Sequence, residues 1–120
     1  MARVIVFSTC ASKSEARKIA SELLKRRLVA CVNILPVSSF YWWKCKIRHG
    51  SELLLMMKTR AELVGKLQAT ISKLHSYEVP EIVSVKIDKG LPAYLRWIDN
   101  ETNSKASHKN SKRRQDSGNA

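Results

Sequence analysis

Leu28-Val29-Ala30-Cys31-Val32-Asn33-Ile34-Leu35, interrupted by Pro36 and resumed after Val37 as Phe40-Tyr41-Trp42-Trp43, is the stretch that decides the fold. A strand of ordinary length holds about 5 or 6 residues. A β segment of this size, with aromatics at its far end, therefore predicts a strand that leaves its own subunit and pairs with another, an oligomer built by strand addition. Pro36 has no N–H to give a ladder and predicts a bend where the strand passes into a second pairing environment. Tyr41 and Trp43 share one face of the strand and Phe40 and Trp42 the other, so the ribbon needs cover on both sides. Lys44, Lys46 and Arg48 make base stacking conceivable. Burial between subunits is favoured, because a stacking platform presents one aromatic face and not two.

Upstream, Arg3-Val4-Ile5-Val6-Phe7-Ser8-Thr9-Cys10 reads as a β-branched strand. Ser12 and Glu15 then have capping-box spacing. Ala16, Ile19, Ala20, Leu23 and Leu24 make one apolar stripe of a helix, closed by Lys25-Arg26-Arg27 at the negative end of its dipole. Downstream, His49-Gly50 reads as a hairpin turn and Glu52 to Lys58 as the returning strand. Thr59 and Glu62 repeat the capping-box spacing, ahead of a helical stripe of Leu63, Leu67, Ile71 and Leu74 that reaches His75. Glu81 to Ile87 alternates as a strand, and Pro92 suits the first turn of a last helix carrying Tyr94, Leu95, Trp97 and Ile98. The order β-α-β-β-α-β-α predicts an α+β fold, a ferredoxin-like split βαβ sandwich with a long hairpin between its second and third strands and an extra C-terminal helix.

A chain of 120 residues with 44% hydrophobic content suits one globular domain, placed at residues 1–101. Residues 102–120 contain no apolar residue larger than alanine apart from the imidazole of His108, and predict a disordered basic tail. The net charge is +12, and the tail supplies part of it through five Lys/Arg against Asp116. Such a balance favours acidic partners in general, nucleic acid or anionic lipid among them, without specifying any. Lys112-Arg113-Arg114 is short enough to read as solvated tail. Cys10, Cys31 and Cys45 are odd in number and form no CxxC pair, and neither a secretory leader nor a membrane-spanning run is present. The expectation is a cytoplasmic protein with free thiols and no membrane partner. Cys31 is read as core and Cys45 as exposed.

Several segments together resemble the CutA family, the divalent-cation tolerance proteins. They are Arg27 to Pro36, Ser39 to Trp43, Glu52 with Met56-Met57-Lys58-Thr59, His75-Ser76-Tyr77-Glu78-Val79-Pro80-Glu81-Ile82, and Gly90 through Ile98. The similarity spans roughly residues 3 to 100 and keeps the motifs in order. It implies a homotrimer in which the long hairpin pairs between subunits, with Val37, Phe40, Tyr41, Trp42 and Trp43 at the interface. It also implies binding of copper or another divalent metal ion, with a role in metal tolerance or signalling, and no enzyme activity. The residues agree with that last point, since no nucleophile–base constellation or phosphate loop stands out.

Bacterial relatives carry a thiol at the end of the first strand and adjacent histidines at the end of the second helix. Here Ser8 matches the thiol position, with Cys10 two residues on, and the pair reads Leu74-His75. The resemblance thus implies Cys10 and His75 as metal ligands, with Glu52 as an oxygen donor. Against this stands an ordinary structural reading, Cys10 as a small hydrophobe and His75 as a helix cap. Tyr77 and Glu78, with Lys58, are placed at a cleft between subunits, the default ligand site. Two alternatives stay open: a basic nucleic-acid-binding module, which is disfavoured, and a small-molecule-binding trimer like the PII proteins.

Overall fold

The structure, a computed structural model, describes residues 2–103. Strand β1, Arg3–Cys10, buries Val4, Val6, Ser8 and Cys10 on one face and leaves Ile5 and Phe7 half-buried on the other, the period-2 pattern its sequence carries. Helix α1, Lys13–Lys25, starts where Ser12 Oγ accepts the Glu15 N–H at 3.2 Å. Its buried stripe is Ala16, Ile19, Ala20 and Leu23. Arg27, at φ 57°, turns the chain so that Leu28 and Val29 enter the core as a connection rather than as a strand. The remaining elements are β2 (Cys31–Trp43), β3 (Lys46–Arg60), a 3₁₀ turn (Ala61–Leu63), α2 (Val64–Leu74), β4 (Ile82–Lys86) and α3 (Pro92–Glu101).

The sheet runs β2-β3-β1-β4, with every neighbouring pair antiparallel. That is the expected split βαβ order. Val4, Val6, Leu53, Leu55 and Met57 on one sheet face pack against Ala16, Ile19 and Leu23 of α1 and Leu67 and Ile71 of α2. The opposite face carries Ile5, Phe7, Leu54 and Met56, half-buried, together with Leu35, Val83 and Val85, exposed. Arg3 and Arg60, cross-strand neighbours at one end of this second face, hold α3 through an Arg3–Asp99 pair at 2.6 Å and an Arg60 Nε to Thr102 Oγ1 bond at 2.8 Å.

Four local expectations are corrected. Pro36 does not break the strand: β2 runs through it, opposite Leu53, and its edge position permits a residue with no N–H. His49 and Gly50 are not the turn but lie inside β3, opposite Phe40 and Ser39. The chain reverses instead at Lys44 and Cys45, both at positive φ (50° and 64°), the geometry whose twist suits a two-residue hairpin. Thr59 caps no helix, because β3 continues past it and its buried hydroxyl donates to the Leu28 carbonyl at 2.7 Å. Thr102 belongs to the folded domain, since it caps α3 and is buried, although the sequence reading placed it in the tail. The predicted disorder of residues 104–120 lies outside the described residues.

Two stability predictions follow from these positions. Positive φ costs a non-glycine residue about 1–2 kcal/mol, so Lys44→Asn with Cys45→Gly should raise the urea midpoint by about 1 kcal/mol equivalent. No change would mean the turn is held without strain. Ser8 Oγ is buried with no hydrogen-bond partner among the described residues. Leaving such a group unsatisfied costs about 1–3 kcal/mol, so Ser8→Ala should keep or raise the melting temperature, and a fall of several degrees would reveal a partner for the hydroxyl.

Candidate functional site

The site arises from a mismatch in strand length. β1 pairs with β3 only from Leu53 to Arg60, so the β2–β3 ladder from Val37↔Glu52 to Trp43↔Lys46 projects beyond the sheet as a two-stranded arm. The segment after α2 comes back against the root of that arm. Between them lies a cleft of about 700 Å³, lined by the aromatic run Phe40 to Trp43, by Glu52, and by Tyr77, Glu78 and Glu81. The arm's aromatics are exposed on both faces, Phe40 and Trp42 by 74% and 71%, Tyr41 and Trp43 by 45% and 37%.

Hydrogen bonds fix the returning segment. The Tyr77 N–H donates to His75 Nδ1 at 3.0 Å, which leaves Nε2 as the protonated nitrogen, donating to the Thr9 carbonyl at 2.6 Å. The imidazole is therefore neutral, and its 3.6 Å approach to Glu15 is a contact rather than an ion pair. Glu15 instead accepts the Ser76 N–H at 2.8 Å and the Ser76 hydroxyl at 3.0 Å. Burial is the largest single influence and works to raise the Glu15 carboxyl, but the two bonds from Ser76, together with smaller contributions from His75 and the Ala11 backbone, hold the group below its ordinary value. The Tyr77 hydroxyl donates to Glu52 Oε2 at 2.6 Å. Burial, and then that bond to Glu52, push the Tyr77 phenol upward, so it stays a donor.

Cys10, His75 and Glu52 do converge on one end of β1: Cys10 lies opposite Leu53, beside Glu52, and His75 is bonded to the residue before Cys10. Their donor atoms are committed elsewhere. Both imidazole nitrogens are used, and one Glu52 oxygen is held by Tyr77. The Cys10 thiol is buried against the Ser12 carbonyl at 3.6 Å, and burial, then the Glu15 charge, push it up, away from the thiolate that binds copper. Among the described residues no three His, Cys, Asp or Glu side chains are arranged to hold a metal ion. As folded, this trio does not fit a soft-metal centre.

Tyr77 and Glu78 line this cleft within the single chain, and Lys58 does not. It sits opposite Ile5 and Cys31 and bonds Asn33 Oδ1. Cys31 is half-buried at the start of β2 rather than core, and Cys45 is exposed at the tip of the arm. Val37 is half-buried at the arm's root, opposite Glu52. The sequence reading missed Thr9, Ser76 and Glu81, and spent Glu15 on a capping box. No spacing in the chain marks Glu15 and Ser76 as partners across 61 positions.

The family described as CutA1 divalent ion tolerance protein matches residues 4–101. The divalent-cation tolerance protein CutA of Archaeoglobus fulgidus is 40% identical over 94 residues, 78% of this chain and 92% of its own length. Protein CutA of Mus musculus is 40% identical over 99 residues, 82% of this chain but 56% of its own. The chain thus spans nearly all of the archaeal relative and little more than half of the mouse one. Among solved structures, CutA from Archaeoglobus fulgidus superposes with a TM-score of 0.83 at 38% identity, covering 84% of this chain and 99% of that one. CutA1 from Oryza sativa superposes with a TM-score of 0.83 at 34% identity, covering 87% and 96%.

The clasp around Ser76 generates a pH prediction. A carboxyl lowered in the fold contributes stability that is present above its unfolded value, about 4.3 for glutamate, and lost as pH falls through the lower folded value. Melting temperature should therefore hold near neutrality and decline at acid pH. Glu15→Gln should lower the neutral value and flatten the decline. Some slope should remain from Asp99, which its hydrogen bond from Arg3 also lowers. An acid limb identical in the variant would remove Glu15 from the clasp's energetics.

Proposed function

The chain belongs to the CutA1 divalent ion tolerance family, and on that footing we propose that it acts as a non-catalytic homotrimer that binds copper or another divalent ion at the cleft beside its arm. The observation that carries this reading is the arm itself: two aromatic faces in solvent, continuous with an apolar sheet face that α1 and α2 leave uncovered. An exposed apolar surface of that kind marks an interface. Further copies of the chain, pairing along the edge of β2 and closing over Ile5, Phe7 and Met56, supply the missing cover. Val37 and Phe40 to Trp43 then lie at the subunit boundary, with the cleft beside them.

The ion reading moves away from the thiol and imidazole and onto oxygen donors. Glu52, Glu78 and Glu81 all line the cleft. Among the described residues of one chain these carboxylates do not converge tightly enough to hold an ion by themselves, so the reading requires further oxygen donors from water or from another copy, and it favours a hard divalent ion over copper. A nucleic-acid role finds no support at this site, because the aromatics that would stack bases stand beside carboxylates that repel phosphate.

Light scattering should give about three times the 13.6 kDa chain mass, and a monomer at micromolar concentration would end the assembly reading. Calorimetric titration with Cu(II) should lose roughly tenfold in affinity in Glu52→Gln/Glu78→Gln, while Cys10→Ala stays within about twofold. The reverse pattern would return the ion to the thiol.

A further inference from the structure

We propose that the cleft between the arm and the Tyr77 segment takes an organic ammonium cation, held by aromatic faces and by the Glu52 carboxylate. The proposal rests on the reading of this cleft as the ligand site and adds a ligand class to it. Charge comes first. The chain has 22 Lys and Arg against 10 Asp and Glu, so a lining of a dozen residues would ordinarily hold about two basic side chains. It holds none, and three of its members are glutamates. An acidic hollow on a basic protein focuses a negative potential where a cation can enter.

Its walls are aromatic, and that separates an organic cation from a metal ion. The faces of indole, phenol and phenyl rings carry negative charge density that attracts a soft, weakly hydrated ammonium. A hard ion gains little from them and needs several convergent oxygens instead. No three acidic, histidine or cysteine side chains among the described residues converge in that way. The chain supplies an instance of the first kind of contact: Lys44 Nζ stands 6.0 Å from the centroid of the Trp43 ring.

Glu52 provides the anchor. It is nine-tenths buried at the root of the arm, and its hydrogen bond among the described residues is the one from Tyr77 to Oε2, which leaves Oε1 for a ligand. Tyr77 holds the carboxylate in place and stays protonated while doing so. A cleft of about 700 Å³ lies within the range of small-molecule sites. A quaternary or primary alkylammonium with a short chain fits that description: charge toward Glu52, carbon against Tyr41 and Trp43, which share the Glu52 face of the arm.

The test compares choline with 3,3-dimethylbutan-1-ol, its neutral carbon isostere, on the full-length protein, read by tryptophan emission and by saturation-transfer NMR of the methyl protons. Choline should give a saturable response and the alcohol one at least roughly tenfold weaker. Glu52→Gln, which keeps an acceptor for Tyr77, should weaken choline by about fivefold or more. Trp43→Ala, on the Glu52 face of the arm, should do the same, and Glu78→Gln serves in its place if loss of the indole disturbs assembly. Equal responses to choline and alcohol would overturn the proposal in favour of a merely apolar groove. Silence toward choline in a protein of trimeric mass would also overturn it, because a second copy's arm then fills the cleft. Choline binding without copper binding upholds this inference and removes the metal; copper binding without choline removes this inference alone.

Discussion

The 13-residue β2 and the 15-residue β3 pair along their whole common length, while β1 has only 8 residues and cannot follow them to the tip. The arm is therefore satisfied in its backbone and unsatisfied in its side chains. Its ladder of main-chain bonds is complete on the β3 side of β2, yet no other strand among the described residues is long enough to cover Phe40, Tyr41, Trp42 or Trp43. The cleft, the exposed aromatic surface and the site chemistry all follow from that difference in length. A shorter hairpin would give an ordinary two-layer sandwich with no cavity at its end.

The two ends of the sheet are held by different physics. At the α3 end, guanidinium groups do the work: Arg3 on Asp99, Arg27 on Glu101 and Arg60 on Thr102 fasten the last helix through partly exposed, charge-assisted bonds. At the cleft end, the bonds run from partly buried to exposed and are made mainly to carboxylates, with one neutral imidazole among them. His75 ties the end of α2 to β1, Glu15 ties α1 to Ser76, and Tyr77 ties the same segment to β3 through Glu52. Together these bonds tie the segment that returns after α2 to α1, β1 and β3 at once. The same commitment removes His75 from metal chemistry, because a ring with both nitrogens bonded has none left to give.

Much of this was legible in the sequence. The seven regular elements, their order and the apolar stripes of α1 and α2 are local facts: a residue's place in a period of 2 or 3.6 depends on its near neighbours. Ser12 as a cap and Pro92 at the start of α3 are local in the same sense. The over-long strand was visible as well, since its length is simply a run of residues. The errors share a cause. Thr59 has the spacing of a cap, but a buried carbonyl of Leu28, 31 positions away, claims its hydroxyl. His49-Gly50 has the composition of a turn, but cross-strand register places the reversal at Lys44-Cys45.

The sequence by itself determined which segments are strands and helices, that the hairpin would outrun its sheet, and that the chain would be basic. Tertiary structure decided where the acid went. Glu52, Glu78 and Glu81 are scattered glutamates along a cationic chain until the sheet brings β3 under the return from α2 and gathers them in one hollow with the arm's aromatics. It also decided that Cys10 and His75, neighbours in space, are spent on backbone carbonyls instead of on a ligand. Periodicity is written in adjacent residues, whereas a site is made by contacts between residues dozens of positions apart, and only the folded chain sets those distances.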